Sequence, residues 1–275
     1  MQITASTPAT TPDPIVPGRI VGGRQAAETA GRRCLCYAAC SEFVASPHDM
    51  DPRAALRARI GLGESVPHAS HLDPLLAEVS SADLDRLRSE YSGMFEVGSQ
   101  GPPVPIREDL QTGQRAGTRE EVVRFYEYFG YVLDEKFAWQ PDHLSVELEF
   151  MHYLCFREAE AGGEADALSF QLAQADFSER HLAAWVPLLA GNVDKLATGS
   201  LYSRVVAAVR DFVMADYEWQ MATITNDAVG APSGATAFLP KTSSVAAEAA
   251  PTAAPTAAPT AAPTTAPVTK AEDSL

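Results

Sequence analysis

The chain has 275 residues, 46% of them hydrophobic, and carries 36 acidic against 21 basic residues, a formal charge of −15. Such a balance excludes a general nucleic-acid binder, which needs a basic surface, and disfavours anionic membrane. It suits a protein that meets a basic partner, such as an arginine-bearing peptide.

Residues 1–24 are rich in Thr, Pro, Ala and Gly and are expected to be disordered. Met1 to Ser6 contain neither a basic nor an apolar signal region, and no apolar run reaches the ~18 residues that span a bilayer. The expected compartment is therefore the cytoplasm, with no stable membrane insertion. Residues 25–227 are expected to form one domain, and at that size a chain buries roughly 70% of its unfolded surface without staples. The spacing predicts helices throughout. The first runs from Ala26 to Phe43. A short one follows from Asp51 to Ile60, with Asp51 as cap and Pro52 at its first position, stopped by Gly61 and Gly63. Asp73 to Met94 carries apolar residues at helical spacing, with a break near Ser80-Ser81.

Gln100 to Gly117 reads as a stiff loop built on Pro102, Pro103 and Pro105. Thr118-Arg119-Glu120-Glu121 reads as a capping box opening a helix that stops at Gly130. Gln140-Pro141-Asp142-His143 then leads into an almost wholly apolar helix, with Asp142 as its expected cap and Glu147 its early polar interruption. A helix apolar nearly all round belongs in the middle of a core. Gly162-Gly163 ends it. Ala165 to Trp185 is the next helix, with an interruption or restart expected at Pro187. The last starts at Ser200 with Leu201, Val205, Val209, Phe212 and Val213 on one stripe. No convincing strand pattern is present, so the fold class is all-α. Residues 228–275, with Ala-Ala-Pro-Thr repeated from Ala249 to Thr264, are expected to be a disordered tail.

Several short matches fail on context. Arg19-Ile20-Val21-Gly22-Gly23 resembles a serine-protease activation site, but no Gly-Asp-Ser-Gly-Gly follows. Gly61-Leu62-Gly63 lacks a preceding strand and a third glycine, and no phosphate-binding G-x-x-x-x-G-K-[ST] exists. Arg32-Arg33 is an isolated twin arginine followed by an amphipathic segment. Cys34, Cys36 and Cys40 sit in one helix, where Cys36 and Cys40 share a face, and packing is favoured over a thiolate metal site. His68 and His71 have no third ligand nearby in sequence. No metal and no cofactor is expected.

Asp142, His143 and Glu147 are the strongest polar set. They support three readings: helix capping with a core ion pair, binding of a peptide or partner, and acid–base catalysis. Catalysis is the weakest, because neighbours at a helix start rarely face each other and no nucleophile is apparent. On the capping reading, Asp142→Ala with His143→Ala costs about 1 kcal/mol.

The stretch Pro141-Asp142-His143-Leu144-Ser145-Val146-Glu147-Leu148-Glu149-Phe150-Met151 resembles the Pro-Asp-His-x-x-x-Glu-Leu-x-Phe-Met signature of the NarJ/TorD/DmsD family of molybdoenzyme assembly chaperones. Tyr91 to Phe95, Gly101 to Pro105 with Glu108, Phe125 to Gly130, and His181 with Trp185 are similar to further family segments, in order, between about Gly31 and Val213. Glu96 to Pro103 is most similar to the delta-subunit chaperones of the dimethylsulfide, selenate, chlorate and ethylbenzene dehydrogenase or reductase group. The resemblance implies a single-domain helical bundle of the TorD-like type and no enzymatic activity. It implies a chaperone that holds the apo catalytic subunit of a DMSO-reductase-type molybdoenzyme, and its twin-arginine leader, until the molybdopterin cofactor is inserted and export can follow. The implied leader or partner surface is Tyr91, Met94, Phe95, Pro105, Pro141, Asp142 and His143, with Glu108 and Glu147 as further carboxylates. The rival readings are a helical hydrolase or metal enzyme using Asp142, His143 and Glu147, and a permanent accessory subunit. Monomer and dimer both remain open.

Overall fold

The apolar run after His143 forms helix α7 (Leu144–Ala159), buried on most of its circumference: Leu144, Val146, Leu148, Phe150, Met151, Leu154 and Cys155 are each at most 1% exposed. In the computed structural model, residues 26–62, 66–99, 101–113 and 117–230 are described, with backbone alone at 26–27, 136, 164–165 and 224–230. The expected disordered segment 1–24 and the Ala-Pro-Thr repeat both lie outside the described residues.

Helix α1 (Ala26–Val44) lies along α7, and α8 (Glu164–Phe177) packs against α7 as well. Short α2 (Arg53–Ala58) and a 3-10 turn (Pro67–Leu72) lead to α3 (Asp73–Ser81) and α4 (Leu84–Phe95). The proline-rich segment contains a four-residue helix, α5 (Glu108–Gln111), before α6 (Thr118–Phe129). Helices α9 (Ala183–Ala197) and α10 (Leu201–Gly230) pack on each other and close the bundle. Among the described residues there is no strand, only the isolated bridges Ser99–Gly101 and Arg107–His143. The fold is all-α.

Most expected elements form, with local corrections at the caps. Asp51 accepts from the Arg53 backbone N–H at 3.0 Å, but the cap position is Pro52 and the helix stops at Ala58. The expected capping box at Thr118 does not form. Gly117 takes the cap position at φ +93°, a value open to glycine, and Glu121 instead pairs with Arg180. The stop at Gly130 is as expected: at φ +71° it lets the Tyr131 N–H reach the Tyr126 carbonyl at 2.8 Å, closing α6. The proline-rich stretch is not all loop, because α5 interrupts it.

Pro187 does not break its helix. α9 continues through it, and the irregularity falls upstream as a π turn, Ser178–Leu182. A proline lacks one hydrogen bond and crowds the preceding turn, but Trp185, Val186 and Leu189 are fully buried around it and hold the helix on the core.

One polar cluster ties the helices together from within. Arg33 on α1 is 1% exposed and grips Asp216 on α10 with Nε and Nη2, both at 2.7 Å. Tyr37 Oη and Gln220 Nε2 donate to the same carboxylate at 2.7 and 2.6 Å, and His68 Nε2 lies 3.1 Å away. Arg33 Nη1 reaches Glu158 on α7 at 3.5 Å, and Gln171 and Gln174 of α8 donate to Glu158. The second arginine of the Arg32-Arg33 pair is thus a core residue. Burial opposes the Arg33 charge, but Asp216 outweighs it and holds the guanidinium protonated.

The four cysteines are buried and in no disulfide, in line with packing. Burial pushes the Cys34 thiol up to about 11 and Cys36 to about 12, far from the thiolate a metal needs. No group of three or more His, Cys, Asp or Glu side chains placed to hold a metal occurs among the described residues. His71 bonds the Ala208 carbonyl, and His68 serves Asp216.

Candidate functional site: a buried polar seam beside an acidic cleft

The Pro-Asp-His turn is clamped against the proline-rich segment by backbone. The Glu108 N–H donates to the Asp142 carbonyl at 3.0 Å, and the Leu144 N–H to the Ile106 carbonyl at 3.2 Å. These two bonds place Arg107, Glu108 and Asp109 over the start of α7.

Asp142 is not the cap of α7. His143 holds that position, its Nδ1 accepting from the Ser145 N–H at 3.2 Å. Asp142 points the other way, fully buried. Its Oδ1 receives Arg107 Nε and Nη2 at 3.2 and 3.1 Å, and its Oδ2 receives the Asp109 N–H at 3.1 Å. The correction follows from backbone geometry: the strand-like bridge at His143 turns Asp142 toward the loop. Burial alone would raise the Asp142 carboxyl, but Asp109 and Arg107 together hold it below the ordinary range.

Glu147 does not find an arginine across the core. Its Oε2 accepts from Trp185 Nε1 at 3.0 Å, while Oε1 has no hydrogen-bond partner. Burial first, then the charge of Glu108, raise it well above the usual carboxylate range, so it is held protonated. Glu108 Oε2 meets His181 Nδ1 of the π turn at 2.8 Å. Residues that the resemblance singled out in separate segments, Glu108, Glu147, His181 and Trp185, are thus brought together in one seam.

The aromatic members lie deeper than an open peptide groove requires. Tyr91, Met94 and Phe95 are 1%, 6% and 4% exposed. Tyr91 and Phe95 meet each other at a tilt and Tyr202 of α10 edge to face, at centroid distances of 5.0 to 5.7 Å, and the Tyr91 hydroxyl lies 3.3 Å from His143 Nε2. Pro141 is buried, its carbonyl bonded by Tyr126, and Pro105 is half-buried. Pro105 lines a shallow shelf of about 490 Å³ with Pro103, Leu110 and Leu196.

Beside the seam lies a half-open cleft of about 340 Å³ between α1, α7 and the segment 131–137. Glu42, Asp49, Asp134 and Glu149 line it against Arg59, which Glu42 binds at 2.6 and 2.9 Å. Exposed Met50 and Val132 form an apolar rim, at 46% and 87% exposure. The floor includes Ser145, whose hydroxyl meets His143 Nδ1 at 2.8 Å and whose carbonyl accepts from Ser41. The motif therefore mounts the floor of the cleft. None of its carboxylates stood out in the sequence, because they come from four separated segments.

A family model described as nitrate reductase delta subunit matches residues 62–191. The selenate reductase assembly chaperone protein of Thauera selenatis is 37% identical over 134 residues, 48% of this chain and 68% of that one. This chain belongs to the NarJ/TorD family of redox enzyme maturation proteins. The chlorate reductase assembly chaperone protein of Ideonella dechloratans is 41% identical over 106 residues, 38% of this chain and 55% of the relative. The perchlorate reductase assembly chaperone protein of Dechloromonas aromatica (strain RCB) is 34% identical over 129 residues, 45% and 57% respectively. The chain thus spans about two thirds of the first relative and somewhat over half of the other two. These relatives are named for assembly rather than catalysis, which supports a chaperone role and not an enzyme. No helix among the described residues of this maturation protein is long and apolar enough to cross a membrane.

The seam carries a pH signature. Burial depresses His143 from the ordinary 6.5 to about 4, more than the charge of Asp142 can offset. The native state keeps it neutral while the unfolded chain binds its proton, so full stability is present above pH 6.5 and is lost as pH falls toward 4. That depression corresponds to about 3 kcal/mol. His143→Asn keeps a capping acceptor and removes the titration. The variant is expected to lose up to about 3 kcal/mol less than the natural protein between pH 7 and pH 4. Parallel urea titrations at both pH values check this; equal losses would return the acid sensitivity to other groups.

Proposed function

We propose that this protein is a cytoplasmic assembly chaperone for the catalytic subunit of a molybdopterin-dependent reductase. It binds the apo subunit, with its twin-arginine leader, and holds it until cofactor insertion precedes export. The observation that carries this reading is the acidic cleft with its apolar rim. Guanidinium groups seek carboxylates, and Glu42, Asp49, Asp134 and Glu149 surround a space that admits an extended segment. Met50 and Val132 offer adaptable apolar contact to the residues that follow the arginines. Tyr91, Met94, Phe95, Pro141, Asp142, His143, Glu108 and Glu147 act from behind, fixing the cleft floor and the proline-rich segment, while Pro105 contributes to the shelf. Release follows when the client folds around its cofactor and withdraws the bound segment.

Affinity capture of the tagged full chain from its native cytosol, with mass spectrometry, tests the partner. Recovery of an immature reductase subunit still carrying its leader is expected. Co-purification with the finished enzyme instead would make the protein an accessory subunit. A labelled peptide with two adjacent arginines tests the surface. Asp134→Lys with Glu149→Lys should weaken its binding about 10-fold or more with little change in melting temperature, since each removed attraction is worth roughly 1 kcal/mol. Undiminished binding would move the peptide to another surface.

A further inference from the structure

We infer that the Asp109 and Asp142 carboxyls, sharing the Arg107 guanidinium, form a proton-linked clamp on the proline-rich segment: one proton between them closes it, and loss of that proton loosens it. The inference concerns the segment itself and is independent of what the protein binds.

Two carboxylates share one hydrogen-bonded guanidinium, that of Arg107. Arg107 Nη2 is forked between Asp109 Oδ2 at 3.3 Å and Asp142 Oδ1 at 3.1 Å. Asp142 Oδ2 already accepts the Asp109 backbone N–H, which draws the two acids together. Asp109 Oδ1 is buried and without a hydrogen-bond partner. Arg119 of α6 approaches from the far side, but its Nε lies 3.6 Å from Asp142 Oδ1 and is not hydrogen-bonded. Two like charges held at such range favour a shared proton. Asp109 accordingly titrates high, at about 6, first through burial and then through its bond to Asp142 and the charge there.

The charged groups on every side fit that assignment. Glu108, from the same segment, is engaged by His181 of the π turn. Glu147 of α7 is already held protonated. His143, beside Asp142, is neutral near pH 7, and Lys195 of α9 lines the shelf beyond Leu110 and Gln111. Arg107 and Arg119 are the cations that face the pair.

Besides the clamp the segment is tied by the Val104 N–H to the Met94 carbonyl, by the two backbone bonds to Asp142 and Leu144, by Glu108 to His181 and by Asn192 to Gln111, and Val104 and Ile106 are buried in the core. Opening would return Asp109 to an ordinary carboxylate, so closure takes up a proton. A raised carboxyl contributes stability that is present at low pH and lost as pH rises through the folded value, here about 6. The segment carries Pro103, Pro105 and Leu110 of the shelf, so its opening reshapes that surface.

Native-state amide exchange at Glu108 and Asp109, corrected for intrinsic rates, reads the opening equilibrium. Asp109→Asn can donate to Asp142 at every pH and leaves the other titrating groups in place. The ratio of opening in the natural protein to opening in the variant is expected to rise about 10-fold between pH 5 and pH 7. A pH-independent ratio would overturn the clamp. Carboxyl carbon NMR of the natural protein supplies the second reading. An Asp109 midpoint near 6 supports the assignment, and one near the ordinary 3.8 overturns it.

Discussion

Arg33→Ala is expected to destabilise the protein by about 3–5 kcal/mol, the usual cost of stranding one partner of a buried ion pair. For a domain of this size that lowers the melting temperature by roughly 10 °C. The reason lies in connectivity. Asp216 accepts from Arg33, Tyr37 and Gln220, and Arg33 extends the network to Glu158 on α7. Removing the guanidinium leaves two carboxylates, both fully buried side chains, without their shared cation. Arg33→Lys keeps a charge but not the two parallel 2.7 Å bonds, so it should fall between the natural protein and the alanine variant. Urea denaturation with a midpoint unchanged in Arg33→Ala would mean that α10 is held by its apolar stripe alone.

Asp142→Ala is the second large effect, at about 2–4 kcal/mol. A helix cap would cost only about 1 kcal/mol, but this carboxylate is fully buried and meets a guanidinium and a backbone N–H. The alanine leaves the Asp109 N–H without its acceptor and Arg107 with Asp109 alone, and it loosens the segment from Arg107 to Gln111. Asp142→Asn retains an acceptor for the Asp109 N–H but loses the charge and turns an amide NH2 toward Arg107, so a cost below that of the alanine is expected. Chemical denaturation orders the three proteins. A loss near 1 kcal/mol for the alanine variant would restore the capping reading, one of the three the sequence offered. Peptide affinity measured on the same samples then separates a loosened fold from a damaged cleft.

The two expectations differ in how visible they were. The Asp142 motif drew attention at once, because a proline and two polar residues abut an apolar helix. Its chemistry was misassigned because capping is a local rule and Asp142 obeys a distant partner, Arg107, 35 residues earlier. Arg33 and Asp216 lie 183 residues apart and carry no local signature beyond a charge on an otherwise apolar face. A closer reading of Arg33 with Tyr37, and Asp216 with Gln220, each at i, i+4, would have marked two polar interruptions on buried helices. Glu147 shows the same limit. A buried carboxylate must be satisfied or neutralised, but whether by arginine, indole or a proton depends on what the fold places opposite.

The sequence by itself determined the helical class, most helix positions, the burial of α7 and the kinship carried by the motif. These follow from apolar periodicity, glycine stops and residue order, all properties of short stretches of chain. Only the tertiary structure decided which side chains meet: the Arg33–Asp216 hub, the turn of Asp142 toward the proline-rich segment, the protonated Glu147, and the acidic cleft assembled from four segments. Such pairings depend on long-range packing, where desolvation and distance set the charge state of each group, and no local pattern encodes either.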